Sequence, residues 1–151
     1  MAYLKIFLIF VTTLVLLSCS SLTLTPAEFS WPIEAVLKID NNGFVNEERN
    51  LVSFDTRALF LEETEDSLGY AGKTLHLIRN NEGFYFMTAA GFKNVYVFTV
   101  EKSAFSLENK IQLNETGLIN PAFNQRNFFI ELIDDGKTYK LTSEGIEEGV
   151  Q

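Results

Sequence analysis

The sequence predicts an all-β fold, a small antiparallel β-barrel or β-sandwich of about eight strands, from three observations. Beyond residue 31, apolar residues recur with a period of two rather than the helical period of about 3.6. The runs are short and punctuated by Asn, Asp and Gly, so successive strands return through tight turns, as antiparallel pairing allows. Fourteen Phe and five Tyr accompany a single Cys, so the core rests on large rings, with no internal disulfide to staple it.

Taken in order, Ile33, Ala35, Leu37 and Ile39 alternate with Glu34, Val36, Lys38 and Asp40, and Asn41-Asn42-Gly43 turns the chain. Val52, Phe54, Thr56, Ala58 and Phe60 alternate with Ser53, Asp55 and Arg57, which predicts one strand reaching an acidic break at Glu62 to Ser67. Lys73 to Arg79 is the next predicted strand. The turn Asn80-Asn81-Glu82-Gly83 and the apolar run Phe84-Tyr85-Phe86-Met87 follow, and Ala89-Ala90-Gly91 ends that run. Val95 to Val100 is apolar on both faces, as expected of a central strand. Phe105, Leu107, Ile111 and Leu113 are expected on one face, against Ser106, Glu108, Lys110 and Gln112.

Asn114 to Gln125 reads as a longer loop. Phe128 to Ile133 and Lys137 to Leu141 flank Asp134-Asp135-Gly136, the strongest hairpin signal in the chain. Glu144 to Gln151 is acidic and glycine-broken and is expected to fray. The acidic break at Glu62 to Ser67 has room for one helical turn, and no longer helix is expected. Asn42-Gly43-Phe44, Glu82-Gly83-Phe84 and Thr116-Gly117-Leu118 recur at intervals of 40 and 34 residues. A trefoil would show such a recurrence, but common turn chemistry accounts for it as well.

The head of the chain is different. Met1 to Lys5 carries one positive charge, and Ile6 to Leu17 is an uncharged apolar run, the n-region and h-region of a secretory signal. The run closes on Leu16-Leu17-Ser18-Cys19, with Leu at −3 and a small residue at −1 from the cysteine. This ending resembles the lipobox of bacterial lipoproteins. The resemblance implies cleavage before Cys19, a thioether to diacylglycerol on its sulfur, and acylation of the new amino group. Several acyl chains hold a protein stably where a single one binds only marginally.

Under the same resemblance, Ser20 and Ser21 with no Asp after the cysteine imply transfer to the outer membrane, as in enteric lipoproteins, rather than retention in the inner. The rival reading is an uncleaved anchor, since residues 6–24 are uncharged and approach the roughly 20 residues of a span. Ser18-Cys19-Ser20-Ser21 is too small and polar for a good lipid-facing helix. The expected organisation is signal peptide 1–18, lipidated cysteine and tether 19–30, a single β-domain 31–143 and an acidic tail 144–151.

The formal charge is −8, and loss of Lys5 makes it more negative still. Such a surface repels phosphate backbones, which argues against a nucleic-acid partner. It also repels anionic headgroups, leaving the lipid as the membrane attachment. The motifs that suggest chemistry fall short. Gly72-Lys73-Thr74 has Ser67 where a phosphate loop needs glycine, and a strand pattern where it needs a helix. A calcium loop starting at Asp40 would place Phe44 fifth, Val45 sixth and Leu51 twelfth, which leaves no bidentate acid. Glu62, Glu63, Glu65 and Asp66 read as a solvated loop.

His76 is the one histidine, too few for a multi-histidine metal site, and is expected at a surface or rim. No Gly-x-Ser-x-Gly elbow appears. Asn114-Glu115-Thr116 matches a glycosylation sequon that a bacterial export route ignores. No catalytic residue, metal ligand or cofactor is therefore nominated.

Two functions are expected. The first is a lipid-anchored, non-enzymatic envelope protein acting as an accessory or interaction subunit, partnered with the membrane through Cys19 and with other envelope proteins. The second is a binding module in which Phe84, Phe86, Tyr96 and Phe98, with Tyr85, line a site for a small apolar or carbohydrate ligand. The competing role for those rings is to fill the core.

Overall fold

The computed structural model describes residues 33–48, 52–101 and 104–147. The expected signal peptide, Cys19 and the tether lie outside the described residues. Among those described, eleven strands form three antiparallel sheets, none closed into a barrel, and one helix accompanies them. In chain order they are β1 (Ala35–Lys38), β2 (Phe44–Glu47), β3 (Val52–Asp55), α1 (Arg57–Thr64), β4 (Thr74–Arg79), β5 (Tyr85–Ala89) and β6 (Asn94–Glu101). The series continues with β7 (Ala104–Gln112), β8 (Ala122–Gln125), β9 (Ile130–Asp134), β10 (Lys137–Thr142) and β11 (Gly145–Ile146). A five-stranded sheet runs β1-β4-β5-β6-β7, a four-stranded sheet runs β11-β10-β9-β8, and β2 and β3 form a separate hairpin. The all-β prediction holds at this level, while the open sheets correct the barrel alternative.

The five-stranded sheet is covered on both faces. On one, Ile78, Phe86, Val95, Val97 and Ile111 share a core with Phe123, Ile130, Leu132 and Leu141 of the four-stranded sheet. On the other, Leu75, Leu77, Tyr85, Met87, Ala89 and Tyr96 meet Val45 of β2 and Phe60 of α1. Successive side chains alternate between the two cores, so every residue of β5 is buried. The middle strand is therefore β5, and β6, whose apolar run suggested a central strand, is likewise paired on both sides, by β5 and β7.

Two turns share one design. Asp40 accepts from the amides of Asn42 and Phe44 through Oδ1, both at 2.8 Å. Asn80 accepts in the same way from Glu82 (3.1 Å) and Phe84 (2.9 Å). A side-chain oxygen of this kind organises its own turn. The outcomes differ, because β4 continues into its neighbour β5 whereas β1 does not pair with β2. Instead β1 pairs with β4, with Ala35 opposite Leu77 and Lys38 opposite Thr74. The third recurrence uses another arrangement, with Gly117 N donating to Asn114 Oδ1 (2.6 Å). At Gly117 φ is +87°, and a Cβ would lie 2.6 Å from the Gly91 carbonyl oxygen, so only glycine fits this close approach. There the backbone bonds Gly91 N to Leu118 O and Leu118 N to Phe92 O tie the loop to the five-stranded sheet.

Several expectations are corrected. The strand predicted through Phe60 ends at Asp55, and an eight-residue helix takes over, where at most one helical turn from Glu62 was expected. Leu59 and Phe60 both reach the same core. Adjacent residues of a strand point to opposite faces, but in a helix they lie only about 100° apart. The Asp55 carboxylate caps the start by accepting from Arg57 N at 2.9 Å, and Thr56 donates to Gly43 O rather than capping. Glu65 stops the helix in the left-handed region at φ 58°, its amide bonded to Leu61 O. Ala122–Gln125, read as loop, is a strand, and Gly145–Ile146 in the supposed tail pairs with β10. The Asp135-Gly136 hairpin forms as expected, with both residues at positive φ, 44° and 79°. Phe128 and Phe129 belong to the β8–β9 turn rather than to β9.

Candidate functional site

The feature that stands out is a continuous series of rings on the α1-covered face of the five-stranded sheet. It starts in the core, where Phe60 packs edge-on against Tyr70 (6.4 Å) and Phe92 (4.9 Å). It continues from Phe92 to Tyr96 (6.2 Å) and from Tyr96 to Phe98, stacked at 20° and 6.3 Å. It ends on Phe105, which touches Phe98 (5.8 Å), Tyr85 (5.1 Å) and Phe54 (5.0 Å), all edge-to-face. Offset and edge-on geometries are those the ring quadrupole favours. Arg79 and Lys110 place cationic groups 5.7 and 5.6 Å from the Tyr85 and Tyr96 ring centroids.

A β-bulge builds the outer end of this series. Val97 pairs with Asn109, but the next residue, Phe98, pairs with Leu107, so Glu108 is the extra residue on β7. The bulge switches the facing of the strand. Phe105 and Leu107 lie on the ring face with Phe98 and Val100, whereas Ile111 joins the core shared with the four-stranded sheet. The expectation that Phe105, Leu107 and Ile111 share one face is thus corrected. Val100 and Leu107 remain 49% and 54% exposed beside the half-buried Phe54, Phe98 and Phe105. The result is an apolar surface on β6–β7, and β7 is the last strand of its sheet among the described residues.

Of the acidic stretch expected to be a solvated loop, Glu65 and Asp66 are exposed, whereas Glu62 and Glu63 stand on α1 and bind it to the sheet. Glu63 Oε1 accepts from Tyr96 OH (2.8 Å) and Asn94 Nδ2 (2.6 Å), and Oε2 accepts from Lys93 N (2.7 Å). Glu62 accepts from Lys110 Nζ at 2.7 Å, which holds its carboxyl below the ordinary value. Burial, and then the bond to the Glu63 carboxylate, push the Tyr96 phenol well above its ordinary pKa of 10.0. A raised folded-state pKa means that folding keeps the proton on. The contribution is intact below about pH 10 and is lost as pH climbs above it. Urea midpoints compared at about pH 8 and pH 11 should therefore fall more for the native chain than for Tyr96→Phe. Equal falls would exclude Tyr96 as a source of alkaline sensitivity.

On the opposite face, His76 Nδ1 lies 2.8 Å from Glu34 Oε1, with side-chain exposures of 12% and 17%. The same oxygen accepts from Phe123 N at 2.9 Å. Glu34 thus joins β4, the entry to β1 and the start of β8, and His76 is a largely covered, partnered residue rather than a rim one. Asp134, also buried, performs a similar service by accepting from the amides of Ile119 (2.8 Å) and Asn120 (2.7 Å).

The ring residues singled out from sequence divide between the two cores. Tyr85, Tyr96 and Phe98 belong to the ring series, whereas Phe86 is fully buried on the other face and Phe84 packs against that same core. Phe54 and Phe105, which complete the series, were not singled out, because their meeting depends on the bulge and on β3 lying near β7. Among the described residues no group of three His, Cys, Asp or Glu side chains is placed to hold a metal ion, and no helix is long and apolar enough to cross a membrane. Comparisons with protein-family models, with curated proteins and with solved structures yield no match.

Proposed function

We propose that the chain is a bacterial cell-envelope protein anchored by lipid at Cys19, in the outer membrane, with a β-sandwich body that serves as a non-enzymatic interaction subunit. The observation that carries the interaction role is the apolar surface of Val100 and Leu107 over Phe98, Phe105 and Phe54. Apolar surface with a rigid aromatic floor is the composition found at the centres of protein interfaces. The leader supports the address, through the lipobox-like Leu16-Leu17-Ser18-Cys19.

Two measurements test the parts separately. The amino-terminal peptide of the membrane-extracted protein should begin at Cys19 and carry the added mass of its acyl groups, which Cys19→Ser should lack; an unmodified Cys19 would refute the anchor. A photo-crosslinking residue at Leu107 should capture one discrete envelope protein, while the same residue at exposed Leu68 captures none. No adduct, or the same adducts at both sites, would refute the docking surface.

A second reading is supported by the ring series itself, whose cation-flanked outer end suits a small apolar or carbohydrate ligand. Under that reading, native mass spectrometry of the purified body would show a bound small molecule that Phe105→Ala loses.

A further inference from the structure

Phe128 and Ile33 are the two most exposed large apolar side chains among the described residues, at 91% and 70%. They stand on segments that the structure ties together. Ile33 precedes Glu34, whose carboxylate accepts from Phe123 N, and β8 leads from Phe123 to the turn that carries Phe128. That turn is closed by Arg126 N donating to Phe129 O at 3.0 Å, so Phe128 projects from a defined loop. Two cations belong to the neighbourhood of that turn: Arg126, paired with Glu131 at 2.6 Å, and Lys140, whose Nζ lies 5.3 Å from the ring centroid of the adjacent Phe129.

An exposed aromatic tip with basic side chains beside it suits the boundary between headgroups and acyl chains, where rings bury and cations stay wet. The chain ahead of Ile33 reaches Cys19 in fourteen residues, at most about 50 Å when extended. We propose that Phe128 and Ile33 form a bilayer contact, seating the body on the membrane at the end where the tether enters. This inference rests on the reading that Cys19 carries the lipid. The negative chain favours zwitterionic over anionic lipid for that contact.

The test places a tryptophan at the tip, Phe128→Trp, with the single native tryptophan removed by Trp31→Phe. The full-length product purified from membranes is reconstituted into phosphatidylcholine vesicles. Emission at position 128 should shift to the blue. It should also fall by about half or more when the lipids are brominated near the headgroup, since an interfacial side chain sits about 5–10 Å into that boundary. Leu68→Trp in the same background should stay unquenched.

Equal emission at position 128 with brominated and ordinary lipid overturns the proposal. Shielding from aqueous acrylamide without bromine quenching does so as well, because it assigns Phe128 to a protein partner. The mass of the amino-terminal peptide from the same preparation reports the lipid independently. If Cys19 is bare, the anchor reading fails. Coupling this sole cysteine to a maleimide phospholipid then supplies the tether, and the quenching at position 128 still decides the proposal.

Discussion

Replacing Phe86 by Ala should destabilise the protein by about 3–5 kcal/mol, the range for deleting a fully buried ring whose surroundings cannot collapse into the space. Phe86 is 0% exposed on the central strand, with Ile78 and Val97 as its cross-strand neighbours. Ile130, Leu132 and Leu141 of the four-stranded sheet belong to the same core. Its backbone is held by ladders on both sides, so the strand cannot move in to fill the void. Urea unfolding should show the midpoint falling by more than about 1 M with little change in slope. Phe128→Ala, at a 91% exposed position, should move it by less than about 0.5 kcal/mol. A loss below about 1 kcal/mol at Phe86 would mean that the four-stranded sheet does not close over this face.

Glu63→Ala is the second large effect expected, about 2–4 kcal/mol, from a residue that sequence alone places on a solvated loop. Its removal strips an acceptor from Tyr96 OH and Asn94 Nδ2, both on side chains at least nine-tenths buried, and from the Lys93 amide. Leaving buried donors unpaired costs more than the net worth of the bonds. Glu63→Gln should fall between the two, since its carbonyl replaces one oxygen while its amide turns a donor toward another donor. A double-mutant cycle with Tyr96→Phe should give a coupling of at least about 0.5 kcal/mol. Additive effects would show that the phenol does not depend on this carboxylate.

The contrast between Phe86 and Glu63 shows what the sequence could reveal. Strand identity was legible where the alternation runs through clearly apolar residues, as in Ala35 and Leu37 against Val36 and Lys38, but not in β2 and β8, whose four residues include Asn, Glu or Gln. The Asp135-Gly136 hairpin was legible because its backbone requires residues that tolerate positive φ. The helix was not, since Thr56 to Phe60 also fits an alternating strand, and only the packing of both Leu59 and Phe60 into one core breaks the tie.

The bulge left no local mark, because Glu108 differs from its neighbours only in having no partner opposite it. The ring series needed that bulge to bring Phe105 and Leu107 round to Phe98, so of its outer members only Tyr85, Tyr96 and Phe98 were picked out in advance. The roles of Glu34, Glu63 and Asp134 are long-range, and a sequence gives a carboxylate's type but not its donors.

The position of Glu34 also bears on how the body withstands force. Among the described residues β1 is the edge strand of its sheet, held through four paired residues, Ala35 to Lys38. Any tension along the chain ahead of Ile33 reaches Glu34 before it reaches that ladder. Glu34 grips His76 on β4 and the Phe123 amide at the start of β8, which belong to different sheets, so the load is divided between both layers instead of peeling β1 from its neighbour. The residue acts as a strain relief, like the clamp that holds a cable where it enters a housing. Where a thin edge strand is the only link between a body and whatever it hangs from, mechanical failure would otherwise begin there.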